Sequence, residues 1–356
     1  MSRLLSLDAF RGLTIALMIL VNTPGDGRTT YAPLQHAEWH GWTLTDCVFP
    51  SFVWIVGVAI TLSLGRKLDQ PRPQLYKDIL RRAAILFGLG LLIYAFPTFP
   101  LDTFRILGVL QRIAICYAIA AFLFLNTSIR GQIAATVALL AGYWAIMSFI
   151  PAPGFAPGDL SVEGNFAHYI DKIILGAHNY GETKTWDPEG IVSTLPAIAT
   201  CLLGVLAGHI LQSSNDVQKR ALRLVVIGIV LIAAGLALNT VLPINKKLWT
   251  SSFTLLMAGL DFSVFAFLLW LIDGMKVVKP FQPAMVMGMN AIALYMASEF
   301  TEITLHLLHW KTAIYQAVFV PLASPMNASL LYALTYVALH LALAYWLYAR
   351  KLFLRA

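Results

Sequence analysis

The sequence predicts an all-α, polytopic membrane protein, and three observations carry that expectation. Of the 356 residues, 58% are hydrophobic and only 12% charged, against about 25% charged in a soluble domain. With a mean hydropathy of +0.72, the chain has too little polar surface to face water on all sides. Apolar runs recur at membrane length, about 20 residues each. The basic residues gather mostly between those runs, so the formal charge of +7 reads as a topology signal rather than as affinity for nucleic acid.

The runs fall near 5–23, 44–65, 81–97, 108–126, 131–150, 190–211, 222–242, 251–272, 284–305 and 328–349, which predicts about ten transmembrane helices. The first carries Asp8 and Arg11 and ends at Asn22. The second follows a polar segment and has Asp46 at its mouth. The third is cut short by Pro97, and the fourth opens with Gly108-Val-Leu-Gln-Arg112. Asp261 lies in the eighth, with Asn290 and Glu299 in the ninth. Of the 25 basic residues, 16 fall on one side, from Arg3 through the cluster Arg66–Arg82 to Arg350, Lys351 and Arg355. By the positive-inside rule both termini are expected in the cytoplasm. The segment around His36 and the longest loop, about 151–189, are then extracytoplasmic. Trp39, Trp42, Trp186, Trp249 and Trp310 all fall on that outer side, where an interfacial aromatic belt would put them. Met1-Ser-Arg leads into a polar-marked span with no small-residue cleavage site, so no cleavable signal is expected. The halves show no matching broken helices of the kind that mark inverted-repeat transporters. Cys47, Cys116 and Cys201 sit in apolar runs without metal-type spacing and read as small hydrophobic residues; no metal is expected.

Candidate functional residues are those that lipid should exclude. Within eleven positions, His36, Glu38 and His40 are followed by Asp46 at a helix entrance. A carboxylate there is costly and calls for a partner or a cavity. Histidine is the side chain best suited to move a proton or carry an acyl group near neutral pH. The sequence does not choose between His36 and His40. Asp8 and Arg11, three apart, share a helix face; a structural ion pair and an anion-binding role for Arg11 are both open. Arg105 and Arg112 flank the start of the fourth span, and a guanidinium fork suits carboxylate or phosphate. Single buried Asn, Gln or Asp residues act as helix glue, but Gln111, Asp261, Asn290 and Glu299 together suggest a polar cavity.

Read in order, Leu7-Asp-Ala-Phe-Arg-Gly12, Val21-Asn22, His36-Ala-Glu-Trp-His-Gly-Trp-Thr-Leu-Thr-Asp-Cys-Val-Phe-Pro50, Arg105-Ile-Leu-Gly-Val-Leu-Gln-Arg112, Asp187-Pro-Glu-Gly190, Leu203-Gly-Val-Leu-Ala-Gly208, Pro243-Ile-Asn-Lys-Lys-Leu-Trp249 and Gly288-Met-Asn290 resemble the heparan-α-glucosaminide N-acetyltransferase family, and its bacterial members most. These blocks run from the first span to the ninth. The resemblance implies one transmembrane acyltransferase domain over 1–356 in a bacterial inner membrane, with the His36 loop periplasmic, and a homodimer. It implies transfer of acetyl from cytoplasmic acetyl-CoA to an amino-sugar acceptor of glucosamine type, with lipid the other partner. His36 would be base or acetyl carrier, Asp46 would orient it, and Asn22 would stabilise developing charge. Arg11, Asp8, Arg105, Gln111, Arg112 and Asn290 are the expected donor-binding set, while Arg66, Lys67, Arg81 and Arg82 are candidates for the nucleotide. The animal members' luminal domain and extra helix are not expected, and His40 stands where the animal sequence is not basic; both bear on the acceptor. The alternative is an amino-sugar permease that makes no bond.

Overall fold

The computed structural model describes residues 4–353, and among them the secondary structure is helical apart from one isolated bridge between Gly41 and Asn245. In chain order the helices are α1 (Leu5–Asn22), α2 (Leu44–Leu64), α3 (Arg72–Ala95), α4 (Val109–Asn126), α5 (Ile129–Phe149), α6 (Phe166–Ile174), α7 (Thr194–Gln212), α8 (Val217–Leu238), α9 (Ser251–Leu268), α10 (Gln282–Met289), α11 (Ala291–Leu307), α12 (Trp310–Ile314) and α13 (Pro325–Ala349). A π-helical turn, Leu269–Gly274, extends α9. Arg3 and Arg355 of the topology argument lie outside the described residues.

Among the described residues, eight helices are long and apolar enough to cross a membrane: α1, α2, α4, α5, α7, α8, α9 with its extension, and α13. The expected number was about ten, and the remaining two spans differ for separate reasons. The third begins earlier than expected, at Arg72 beside Pro73, so Lys77, Asp78, Arg81 and Arg82 ride on α3 rather than in a loop and make it too polar. The ninth is broken at Asn290, which ends the short α10 and precedes the 17-residue α11.

The described residues fall into two compact units. One comprises the chain through Ala37, then Trp42–Val48, then everything from Phe265. Here α1 packs along α10, and small residues set the spacing. A Cβ on Gly12 would lie 1.6 Å from the carbonyl oxygen of Ala284, and one on Gly288 would lie 2.0 Å from that of Asp8. Close backbone approach through small residues is how helices gain packing contact where lipid removes the hydrophobic drive. A second cluster, Tyr315, Phe319, Ala328 and Tyr332, seats the α12 region on α13.

The other unit comprises Glu38–Gly41 and Phe49–Val264. Its α2 and α7 cross in the same way: a Cβ on Gly57 would stand 1.9 Å from Cys201 O, and one on Gly204 2.0 Å from Trp54 O. Trp249, expected in an interfacial belt, is instead fully buried. Its ring meets Phe49 and Phe253 edge to face, and its Nε1 donates to Thr200 Oγ1 at 3.1 Å. Trp186 is buried too, whereas Trp42 and Trp310 are exposed as a belt requires. The long loop contains α6, capped by Asn165, whose side chain accepts from His168 N at 2.8 Å.

Candidate active site

The His36 segment is shaped by the first turn of α2. Thr43 immediately precedes the helix and Asp46 lies three residues on, the spacing at which a helix-start side chain reaches back to an open amide. Asp46 Oδ2 accepts from Thr43 N at 3.0 Å, from Thr43 Oγ1 at 3.2 Å and from Ala37 N at 3.1 Å. Its Oδ1 lies 2.6 Å from His36 Nδ1. The carboxylate is buried, with its side chain 1% exposed, while that of His36 is 50% exposed. Buried acceptor and half-open imidazole give a directed dyad: Nδ1 carries its hydrogen toward Asp46, and Nε2 is left to the open side. Thr43 Oγ1 also donates to Gln35 O at 2.6 Å, which ties the residue before His36 to the helix cap.

His40 is placed differently. Its Nδ1 faces Asn245 Nδ2 at 3.4 Å, without a carboxylate at that nitrogen, and burial lowers its pKa. Asn22, at the end of α1, is exposed, and among the described residues no hydrogen bond joins it to His36. Asp8, Arg11 and Asn290 belong to the α1–α10 crossing. Arg11 Nη1 is 3.8 Å from Asp8 Oδ1 and 3.5 Å from Gly288 O, and Asn290 Nδ2 donates to Leu352 O at 3.0 Å.

Arg105, Gln111 and Arg112 lie in the other unit. Arg105 is fixed on all three nitrogens: Nε donates to Asp187 Oδ2 at 2.7 Å, Nη1 to the Tyr94 hydroxyl at 3.0 Å, and Nη2 to Asp187 Oδ1 at 2.5 Å and to Glu189. The rings of Tyr94 and Tyr180 flank its guanidinium at 5.0 and 4.4 Å. Lys246 reaches Glu189 at 3.5 Å, so two cations balance two carboxylates. Burial opposes the charge on Arg105, but Tyr94, Asp187 and Glu189 more than offset it and raise its pKa. Glu189 is buried as well, yet Lys246, Arg105 and Arg112 hold it down at about 2. Burial pushes Asp187 up despite Arg105, as expected where two coupled carboxylates share one guanidinium. The expected donor-binding role of Arg105 does not fit this geometry, because its fork is already committed to carboxylates.

Arg112 is 1% exposed and does not snorkel. Its Nη2 donates to Gly190 O at 3.0 Å and to Ser193 Oγ, and its guanidinium stands over Trp249 at 5.1 Å. Among the described residues, its Nε and Nη1 and both amide atoms of Gln111 are buried without a hydrogen-bond partner. Buried polar atoms left unmade are costly, and these donors and this amide could pair with carbonyl or oxyanion groups.

Two partners were missed in the sequence. Asp171 of α6 accepts from Ile191 N at 2.9 Å and Asp187 N at 3.3 Å, holding the loop under Arg112. Ser51 Oγ donates to Asp261 Oδ1 at 2.5 Å. A lone Asp on an amphipathic loop helix and a Ser in an apolar helix carry no distinguishing signal. The Thr43-x-x-Asp46 helix start does.

The class is a helical, polytopic membrane protein, and a carboxylate-fixed imidazole, half open at the mouth of an apolar helix, is an arrangement that can move a proton or accept an acyl group. The family model described as heparan-alpha-glucosaminide N-acetyltransferase, catalytic, matches residues 3–235, and the chain belongs to that family. The mouse (Mus musculus) heparan-alpha-glucosaminide N-acetyltransferase is 31% identical over 409 aligned positions, covering 99% of this chain and 60% of that protein. The human (Homo sapiens) protein of the same name is 30% identical over 407, covering 99% and 59%. The chain spans about three fifths of the length of these relatives.

Proposed function

We propose that this chain, acting over 1–356 as one domain, is a transmembrane acetyltransferase of a bacterial inner membrane. It moves acetyl from cytoplasmic acetyl-CoA to the amine of a glucosamine-type sugar on the periplasmic side, where the His36 loop faces. Family membership supports acetyl transfer, and the 2.6 Å contact between His36 and the buried Asp46 is the observation that carries the site.

The chemistry follows from the dyad. With Nδ1–H turned to Asp46, the lone pair of Nε2 is the basic one. In direct transfer the amine nitrogen attacks the thioester carbonyl, Nε2 takes the proton the amine sheds, the C–S bond breaks, and the imidazolium returns that proton to the departing thiolate so that CoA leaves as thiol. In the stepwise route Nε2 attacks the thioester carbonyl and the C–S bond breaks to release CoA thiolate; the amine then takes the acetyl group from Nε2, which is freed as that N–C bond breaks, and the proton the amine sheds ends on the thiolate. Asp46 stabilises the positive imidazole in either route, as a buried acceptor of its Nδ1–H. Acetyl-CoA is the donor, and unsatisfied buried atoms fit it. Gln111 and Arg112 suit the amides and carbonyls of its pantetheine arm, since their open groups are a buried amide and buried N–H donors. Arg105 holds the Asp187–Glu189 loop in place. Arg11, with Asp8 and Asn290 at the α1–α10 crossing, is assigned to the donor's anionic groups, and Asn22 to the acceptor side. The permease alternative has no observation in its favour comparable to the dyad.

The test is transfer of labelled acetyl from acetyl-CoA to glucosamine by the full chain in detergent, beside His36→Ala. Transfer is expected in the wild type and a loss of at least a thousandfold in the variant, with acetyl-CoA binding retained. Equal rates in the two proteins would remove His36 from the chemistry. Label held on wild-type protein without acceptor selects the stepwise route.

A further inference from the structure

We infer that Thr43 is the positioning residue of the dyad: its hydroxyl, bonded to the carbonyl of the residue before His36, sets the angle at which Nδ1–H reaches Asp46. The inference rests on the acetyltransferase reading for the reaction served, though not for the imidazole geometry it assigns to Thr43.

His36 lies ahead of α2 in irregular backbone, so no helical ladder sets the direction of its side chain. Two bonds do so instead, one on each flank. After His36, Ala37 N donates to Asp46 Oδ2 at 3.1 Å. Before it, Gln35 O accepts from Thr43 Oγ1 at 2.6 Å. His36 is the residue between, and its Nδ1 meets Asp46 Oδ1 at 2.6 Å. The Ala37 bond is made by Asp46 itself and cannot be removed apart from the carboxylate. The Gln35 bond is made by Thr43.

This is not the work of an ordinary helix cap. A threonine at the start of a helix uses its hydroxyl oxygen to accept from an amide in the first turn. Here the Asp46 amide donates to the Thr43 carbonyl at 3.1 Å, and the capping side chain is Asp46, which accepts from Thr43 N at 3.0 Å. The Thr43 hydroxyl is thereby released to act as a donor. It has one hydrogen to give, and Gln35 O at 2.6 Å is nearer than Asp46 Oδ2 at 3.2 Å. The hydroxyl therefore points back along the chain, at the His36 segment.

Direction, rather than stability, is what the hydroxyl supplies. Gln35 is exposed, so water takes the place of Thr43 at its carbonyl and the fold loses little. The flank of His36 loses its anchor, and the ring is free to turn from Asp46. Valine keeps the branched shape of threonine without the hydroxyl, while serine keeps the hydroxyl without the methyl. Thr45 is the control from the same turn. Its Oγ1 also reaches upstream, to Pro33 O at 3.4 Å, but that bond ends on a residue that does not adjoin His36.

The experiment reads the His36 ring nitrogens by NMR, through their couplings to the carbon-bound ring protons. It uses full-length, histidine-labelled protein in detergent without substrates, with His36→Ala to assign the signals. Expected is the Nδ1–H form in the wild type, Thr43→Ser and Thr45→Val, and movement of the hydrogen toward Nε2 in Thr43→Val. In steady-state kinetics Thr43→Val should lose roughly 10–100-fold in kcat with acetyl-CoA affinity kept, as a misdirected catalytic group does, and Thr43→Ser should restore the rate. Added to Asp46→Asn, Thr43→Val should cost nothing more, since a residue that acts through the dyad is silent once the dyad is broken. An Nε2–H form in the wild type, an unchanged ring in Thr43→Val, an equal loss in Thr45→Val, or additive losses in the double variant would each overturn the inference. The tautomer change without acetyl transfer by any of these proteins defeats the enzymatic reading alone. Transfer by Thr43→Val at the wild-type rate defeats the role of Thr43 alone.

Discussion

Asp46 does two jobs with one carboxylate, and its replacement separates them. Oδ2 closes the start of α2 and Oδ1 holds His36 Nδ1. An Asn at this position keeps one acceptor oxygen and adds an NH2 that cannot accept from Nδ1–H, so the imidazole either turns or loses its counter-charge. Asp46→Asn is expected to lower kcat by roughly 10²–10⁴, the range for losing an oriented acid–base partner. Acetyl-CoA affinity should be preserved, because Asp46 touches the imidazole and the helix start. Steady-state kinetics with both substrates checks this, and a variant with wild-type kcat would show that the dyad is structural. At this scale the sequence was informative about Asp46, because a carboxylate entering an apolar run needs a reason. It was silent on His36 against His40, since two loop histidines four apart differ only in what folds against them. Arg105 was legible as a guanidinium beside the start of the fourth span but neither in its burial nor in its partners. Nothing local says that Asp187 and Glu189, more than 80 positions on, fill its fork.

Helices were the easiest elements to find and their junctions the hardest. Apolar length alone located α1 and α2 to within a residue or two, because lipid demands an uninterrupted run of satisfied backbone. It misplaced the start of α3, whose charged first turns satisfy their backbone as well as apolar ones do, and it ran through the break at Asn290. The crossing of α2 with α7 shows what length cannot reveal. Gly57 and Gly204 are each within 2.0 Å, measured from a hypothetical Cβ, of the partner's carbonyl oxygen. Backbone cannot swing aside as a side chain can, so Gly204→Ala must part the helices. A loss of about 1–3 kcal/mol is expected from overpacking, read as a lower melting temperature in detergent. Gly142, exposed on α5 with nothing within 4 Å of its Cβ position, is the control. There Ala should be neutral or stabilising by up to about 1 kcal/mol through helix propensity. Equal melting shifts at the two sites would refute the close-crossing account.

The loop network gives the whole molecule a pH dependence that its formal charge of +7 does not foretell. Asp171 lies outside the membrane-crossing helices, 3% exposed, under two backbone N–H donors. Burial pushes its carboxyl up from 3.8 to about 6. A carboxyl whose folded pKa lies above its unfolded one binds its proton more tightly in the folded state. Its contribution is therefore complete below about pH 4 and is lost as pH rises through 6. Glu189, held at about 2, works in the opposite sense, but only in acid, where stability falls as pH drops from 4.5 toward 2. Between pH 5 and 7 Glu189 stays ionised, while His40, whose pKa burial lowers, works against the Asp171 trend, so comparison with an Asp171 variant isolates that trend. Over that interval Asp171 works toward a lower melting temperature at pH 7 than at pH 5, contributing on the order of 1 kcal/mol. Asp171→Asn cannot titrate and still accepts one of the two amide bonds. It should lower stability at pH 5, where the native carboxyl is protonated and fully bonded, and flatten the fall toward pH 7. Melting curves for both proteins across that range decide the matter, and parallel slopes would move the titration to another group.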